Sequence, residues 1–122
     1  MFVNCVFVGL GGMLGAAGRY LMGFLPLHPQ NGFPLSTLLI NLLGAFAIGL
    51  IAACAARRPE TDPRLLLFLK TGVCGGFTTF STFSLEAQGL IQAGKPDLAA
   101  LYALVSAAAC IAAVALAQLL VR

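Results

Sequence analysis

Long apolar stretches separated by short polar connections make up the pattern of this chain. Four of them are roughly twenty residues or longer, at about residues 2–25, 37–56, 65–92 and 98–121. A helix that crosses a membrane needs roughly 20 mostly apolar residues, so the pattern predicts four transmembrane helices. The connections carry turn residues and charges, and Ser36 and Asp97 are the predicted N-caps of the second and fourth helices.

Composition supports this assignment. The chain has 122 residues, of which 60% are hydrophobic and only 9% charged. Soluble domains carry about a quarter charged residues, so a water-soluble surface of this size could not be built from so few. The net charge of +3 comes from scattered basic residues rather than a stripe, which argues against nucleic-acid binding. We therefore predict an all-α membrane protein with one domain, residues 1–122.

The charge distribution between the two sides of the membrane is nearly balanced. An even number of spans puts both termini and the 57–64 connection on one side, with Lys95 and Arg19 on the other. The arginines of the first side are Arg57, Arg58, Arg64 and Arg122. The positive-inside rule favours cytoplasmic termini only weakly, so insertion in both orientations is expected.

The third stretch contains a segment that suits a helix poorly. Gly75 and Gly76 precede a run of hydroxyl residues, and paired glycines destabilise a helix interior. We predict a break in mid-membrane, which is tolerated only where protein, water or an ion satisfies the freed backbone groups. Freed carbonyls could hold a cation. Alternatively, the glycines only allow close helix packing.

Two features near this segment have two interpretations each. Phe80 and Phe83 lie three residues apart on one side of a helix, where they are either core residues or rings whose positive edges face a passing anion. Asn41 is the one strongly polar residue of the second stretch. Its carboxamide either links helices or donates hydrogen bonds in a pore.

Polar residues of the third and fourth stretches are further candidates. Tyr102, Ser106 and Cys110 recur every four residues, which forms either a polar track on one helix face or incidental polarity among alanines. Glu86 is the only acid well inside a span, and such residues are either functional or close enough to a helix end to reach water. His28 lies in a connection, where solvation is expected.

The cysteines give no metal or disulfide pattern. Cys5, Cys54, Cys74 and Cys110 stand alone in apolar runs without CxxC spacing. We expect Cys5, Cys54 and Cys74 to be buried as small apolar residues.

Three motifs in order give the chain a family resemblance over essentially its whole length. They are GGMLGAAGRY at 11–20, TLLINLLG at 37–44 and GGFTTFSTFS at 75–84. On these the chain resembles the Fluc family of fluoride channels, also called CrcB proteins. The resemblance implies a passive fluoride-selective channel of the cell (inner) membrane that exports cytoplasmic fluoride. It also implies an antiparallel, dual-topology homodimer in the lipid bilayer, with two pores built from both subunits.

The resemblance further implies roles for individual residues. Phe80, Phe83 and Asn41 match pore positions, and Ser81 and Thr82 of the same motif are assigned to the pore. Tyr102 and Ser106 match a polar track, Glu86 an acid beside the pore, and Arg19 the aqueous entrance. The backbone carbonyls of Gly75 and Thr78 match those that hold a structural Na⁺ at the dimer centre. Cys110 departs from the family's serine, and a thiol is a weaker donor.

Other functions fit less well. A proton-coupled exporter of the small multidrug resistance type is also small and four-span, but it depends on an acid in the first helix, where this chain has only Arg19. A membrane assembly subunit would leave the clustered hydroxyls and the broken helix unexplained. An enzyme is not expected, because no nucleophile–base pair and no metal-ligand cluster is present.

Overall fold

The chain is a bundle of four membrane-crossing spans. A computed structural model describes all residues, Met1–Arg122, and contains only helices and connections. The helices are α1 (Phe2–Met22), α2 (Leu35–Arg57), α3 (Pro63–Leu66), a π-helical segment (Leu67–Cys74), α4 (Gly75–Phe77), α5 (Phe80–Gln92) and α6 (Pro96–Leu120). The third span, Pro63–Gln92, runs from α3 through α5, and all four spans are long and apolar enough to cross a bilayer. The predicted four-span membrane architecture is confirmed.

The helix ends differ from the predicted ones by a few residues. Ser36 is not the N-cap of α2, which begins at Leu35 after Pro34 and has no side-chain cap. Asp97 is not a cap either but lies in the first turn of α6, behind Pro96. Pro96 starts α6 one residue before Asp97 because its fixed φ suits a first turn, whereas Pro34 is the N-cap residue of α2. An unpredicted cap is Asp62, whose side chain accepts a hydrogen bond from the Arg64 N–H (2.8 Å).

Glycine-mediated packing joins the first span to the third. A Cβ built on Gly72 would lie 2.8 Å from the Cα of Gly11, and one on Gly76 would lie 2.9 Å from the Cα of Gly12. Contacts this short leave no room for a side chain, as at small-residue interfaces between membrane helices. For Gly76 the close-packing interpretation is therefore confirmed. Gly75 differs, because its nearest neighbour would be the Lys70 carbonyl at 3.8 Å.

The break in the third span follows the glycines rather than coinciding with them. Thr78 (φ −79°, ψ 157°) and Thr79 (φ −151°, ψ 117°) are extended, while Gly75 and Gly76 remain helical. The predicted broken helix is thus confirmed, but its position is two to three residues later than the glycine pair. Threonine tolerates extended backbone well, and the Thr79 hydroxyl then caps α5 by accepting from the Thr82 N–H.

A large apolar surface remains exposed on the single chain. Only 16 of 122 residues are buried, so lipid or a second chain must cover the rest. The expectation that Cys5 and Cys54 are buried is wrong for the single chain, because both are exposed on outward helix faces. Cys74 is buried as expected, and all four thiols are free.

Candidate functional site

Asn41 of α2 satisfies the backbone at the break. Its Nδ2 donates to the Thr79 carbonyl (3.1 Å), and its Oδ1 accepts from the Thr79 N–H (2.8 Å). These two hydrogen bonds, called the clasp below, satisfy the N–H and the carbonyl of Thr79, which helical hydrogen bonds would otherwise satisfy. The helix-linking interpretation of Asn41 is therefore correct. The side chain also borders the groove described below, and its amide retains a second N–H.

Arg19 of α1 satisfies a second backbone group at the break. Its Nε donates to the Gly76 carbonyl (3.2 Å), and the residue is half-buried. In a continuous helix this carbonyl would accept from the residue four positions later, so the guanidinium replaces a lost helical bond. Arg19 also lines a polar cavity of about 300 Å³ that Thr82 and Glu86 share. This position is compatible with the entrance role that the resemblance implies.

Two further carbonyls at the break lack such a partner. The Thr79 N–H, which would bond the Gly75 carbonyl in a continuous helix, donates to Asn41 instead. None of the backbone hydrogen bonds outside the helices ends on the carbonyl of Gly75 or Thr78. Both residues line the groove. Carbonyl oxygens are suitable ligands for a hard cation, so the residues fit the implied Na⁺.

The two phenylalanines lie beside a groove of about 500 Å³ between α2, α5 and α6. The Phe80 and Phe83 ring centroids are 5.4 Å apart, and Phe83 is 5.0 Å from the Tyr102 ring. Phe80 is 80% exposed. A phenylalanine that only filled the core would be covered within its own chain. Phe80 is instead free to contact the second chain or the lipid that covers the groove.

The polar track of α6 is divided between two places. Ser106 and Cys110 line the groove, whereas Tyr102 is fully buried and donates from its hydroxyl to Glu86 Oε2 (2.8 Å). Ser106 is 8% exposed, and its Oγ has no hydrogen-bond partner. A buried hydroxyl without a partner costs about 1–3 kcal/mol, so this one is suited to an ion or water in the groove.

Glu86 is held by two hydroxyl donors. Thr37 donates to Oε1 (2.8 Å) and Tyr102 to Oε2 (2.8 Å), and the carboxylate is half-buried. These bonds link α5 to both α2 and α6. Glu86 therefore joins three helices and is not an acid that only reaches water at a helix end. Sequence reasoning missed Thr37, whose only signal was its place in the TLLINLLG motif.

The remaining predicted pore residues form a hydroxyl cluster at the start of α5. Thr79 Oγ1 lies 3.1 Å from Thr82 Oγ1 and 3.3 Å from Ser81 Oγ. Ser81 is exposed, and Thr82 lines the 300 Å³ cavity with Arg19. Neither borders the groove of the phenylalanines. Sequence reasoning also missed Thr79, which caps α5 and lines both the groove and the 300 Å³ cavity.

These features define a small multi-pass membrane protein whose broken third span presents rings, hydroxyls and carbonyls to an intramembrane groove. Residues 6–118 match the family model described as CrcB-like protein, Camphor Resistance (CrcB). The chain therefore belongs to the CrcB family.

Similar proteins from several bacteria carry one name. A protein of Ruminiclostridium cellulolyticum, called "Fluoride-specific ion channel FluC", is 44% identical over 98% of this chain and 93% of its own length. The protein of the same name from Agrobacterium fabrum is 44% identical over 92% of this chain and 90% of its own length. "Fluoride-specific ion channel FluC 1" of Yersinia pseudotuberculosis is 42% identical over 100% of this chain and 96% of its own length.

Proposed function

We propose that this chain forms a passive, fluoride-selective channel that lets fluoride leave the cytoplasm down its electrochemical gradient. The names of its relatives and the family membership support transport of fluoride rather than catalysis, and they favour a channel over a proton-coupled multidrug exporter. The chain crosses the membrane four times, consistent with the cell inner membrane.

The observation that carries the proposal is the chemistry of the groove. Its lining combines Phe80, Phe83, the amide of Asn41 and the unpartnered hydroxyl of Ser106, and it includes no Asp, Glu, Lys, Arg or His. Ring edges and neutral donors stabilise an anion without a fixed charge that would trap it. Conduction requires binding that is weak enough for release.

The proposed path joins the groove to the cavity that contains Arg19. Thr79 lines both spaces, and the clasp by Asn41 fixes it between them. The Arg19 guanidinium at one end attracts anions, while the Glu86 carboxylate of the same cavity is occupied by the hydroxyls of Thr37 and Tyr102. An anion would pass from Arg19 past the hydroxyls of Thr79 and Thr82 to the rings and the track of Ser106 and Cys110.

The functional unit in this proposal is an antiparallel homodimer with two pores. Phe80 is 80% exposed and the groove is open on the single chain, which supports a proposal in which a second copy closes it. The weak charge bias across the membrane permits both orientations. Cross-linking of single-cysteine variants in native membranes is expected to trap dimers, and labelling is expected from both sides. One uniform orientation would contradict dual topology.

A structural Na⁺ at the dimer centre completes the proposal. The carbonyls of Gly75 and Thr78 would hold it, because the break leaves them without helical donors. The ion would supply positive charge that holds together the broken third spans of the two subunits. No transport step depends on it. Dimers melted in Na⁺ are expected to be more stable than dimers in N-methylglucamine. Equal stability over a wide Na⁺ range would argue against the site.

Liposome efflux tests the function itself. Purified protein is reconstituted with potassium fluoride or potassium chloride inside, and efflux is started with valinomycin. We expect rapid release of fluoride and retention of chloride. Release of neither ion from liposomes that contain folded protein would refute the proposal.

A further inference from the structure

Gly44 of α2 leaves a space, called the notch below, that the methyl group of Thr78 occupies. A Cβ built on Gly44 would overlap Thr78 Cγ2 and would lie 3.6 Å from Thr78 Cβ, so no side chain fits here unless Thr78 moves. Gly44 is buried and lines the groove, three residues after Asn41 on the same side of α2. One face of α2 therefore contacts both extended residues of the break.

Two hydrogen bonds hold Thr78 in this position. Its Oγ1 donates to the Cys74 carbonyl (2.8 Å), and its N–H donates to the same carbonyl (3.0 Å). A β-branched side chain has few favourable rotamers, and a rotation that took the methyl group out of the notch would also move the hydroxyl away from Cys74. The hydroxyl is thus fixed by Cys74 and the methyl group by Gly44, while the ψ of 157° turns the Thr78 carbonyl out of the helix.

We propose that Gly44 is a positioning residue for the cation site, because the notch sets where the Thr78 carbonyl lies. The inference rests on the proposed structural Na⁺ at the carbonyls of Gly75 and Thr78. Oxygen ligands hold a hard cation only within a narrow range of distances, so a carbonyl displaced by crowding binds the ion poorly. Gly44 has no side chain to offer the ion and acts only through Thr78.

The contact can be tested by moving one methyl group across it. Gly44→Ala adds a methyl group on α2. Thr78→Ser removes the methyl group that it would meet and keeps the hydroxyl that donates to Cys74. The double variant G44A/T78S therefore conserves the volume of the contact, which packed cores tolerate best. Thr78→Val keeps a methyl group and lacks the hydroxyl, so G44A/T78V stays crowded.

Thermal unfolding of purified dimers in detergent measures the effect, with Na⁺ titrated against N-methylglucamine at constant ionic strength. An ion that binds only the folded dimer raises the unfolding temperature, and the Na⁺ concentration at which the rise begins reports the affinity. We expect G44A to need about tenfold more Na⁺ than the wild type, which corresponds to about 1.4 kcal/mol of binding free energy. G44A/T78S should need a concentration within about threefold of the wild-type one, and G44A/T78V should resemble G44A.

Gly49→Ala is the matched control on the same helix. Its Cβ would lie 2.9 Å from Ala117 Cβ and 3.0 Å from Val114 Cα, so it crowds α6 rather than the break. G49A should lower the unfolding temperature at every Na⁺ concentration and leave the Na⁺ requirement unchanged. The comparison separates lost packing from a misplaced carbonyl.

Every result bears on the role of Gly44. A raised Na⁺ requirement in G44A that T78S reverses and T78V does not reverse supports the inference. A G44A dimer that is less stable but has the wild-type Na⁺ requirement overturns it, as does a raised requirement that T78S leaves in place or that G49A shares.

If G44A yields no dimer, G44A/T78S decides the question. Dimers of this double variant with the wild-type Na⁺ requirement support the inference, and their absence or a raised requirement overturns it. A wild type whose stability does not depend on Na⁺ would refute the proposed cation site itself, so the two failures are distinguishable.

Discussion

Replacement of Phe83 or Phe80 by isoleucine separates the proposed ring mechanism from simple packing. Isoleucine keeps an apolar, bulky side chain but lacks a ring with a positive edge. Phe83 packs on the rings of Phe80 (5.4 Å) and Tyr102 (5.0 Å). Each aromatic pair contributes about 0.5–1.5 kcal/mol beyond area burial, so F83I should lose about 1–3 kcal/mol of stability. F80I should lose less, because Phe80 is 80% exposed in its own chain.

The transport effect is expected to be larger than this stability loss would produce. A loss of about 1.4 kcal/mol of ion stabilisation in the pore corresponds to a tenfold lower rate. We expect fluoride efflux per folded dimer to fall tenfold or more in each variant. Efflux is measured with a fluoride electrode after size-exclusion chromatography, so that only assembled protein is counted.

A matched control lies on the same tyrosine ring. Phe33 packs on Tyr102 edge-on at 5.4 Å but does not line the groove. Phe33→Ile should therefore lose a comparable aromatic pair while its efflux per dimer stays within about twofold of wild type. Near-normal efflux from well-folded F80I and F83I, or an equal loss in F33I, would refute the ring mechanism without refuting the channel.

Three other tests, which use four substitutions, examine separate parts of the structure. Asn41→Asp removes the amide donor to the Thr79 carbonyl (3.1 Å) and adds a negative charge at the groove. We therefore expect efflux to be abolished and stability to fall by about 1–3 kcal/mol. Normal efflux would contradict both the clasp and the pore role of Asn41. Gly76→Ala would place a Cβ 2.9 Å from the Cα of Gly12 and should destabilise the protein by about 1–3 kcal/mol in thermal unfolding. Its control Gly9→Ala, whose Cβ would have nothing within 4 Å, should stabilise the protein by about 0.5–1 kcal/mol. Stability changes of the same sign in both variants would show that α1 packs differently. Cys110→Ser restores a stronger donor beside Ser106 and should raise fluoride efflux by roughly twofold, whereas an unchanged rate would show that this position is dispensable.

The sequence was sufficient for the four spans because their hydrophobic lengths match a bilayer. It also singled out Asn41 and the GGFTTFSTFS motif, since a carboxamide and a hydroxyl run are rare in lipid. The exact break was not predictable from propensity, because glycine is the weaker helix former and yet Thr78 and Thr79 leave the helix. Tertiary contacts decide this, as Gly76 is held helical against Gly12 while Asn41 clasps Thr79.

Other features depend on residues far apart in the chain. The bond from Arg19 to the Gly76 carbonyl spans 57 positions, and the bond from Thr37 to Glu86 spans 49. Neither has a local pattern that would predict it. The π-helical segment Leu67–Cys74, which contains the Gly72 that packs on Gly11, was also not foreseen. Cys5 and Cys54 were misplaced because apolar surroundings in a membrane protein do not imply burial within the chain.

The zero-current voltage of reconstituted protein in planar bilayers tests the central claim most directly. With fluoride gradients against constant chloride, a fluoride-selective channel should follow the fluoride gradient by about 59 mV per tenfold change and ignore an imposed pH gradient. A zero-current voltage that follows chloride, or one that shifts with the pH gradient as a proton-coupled exporter requires, would contradict the account.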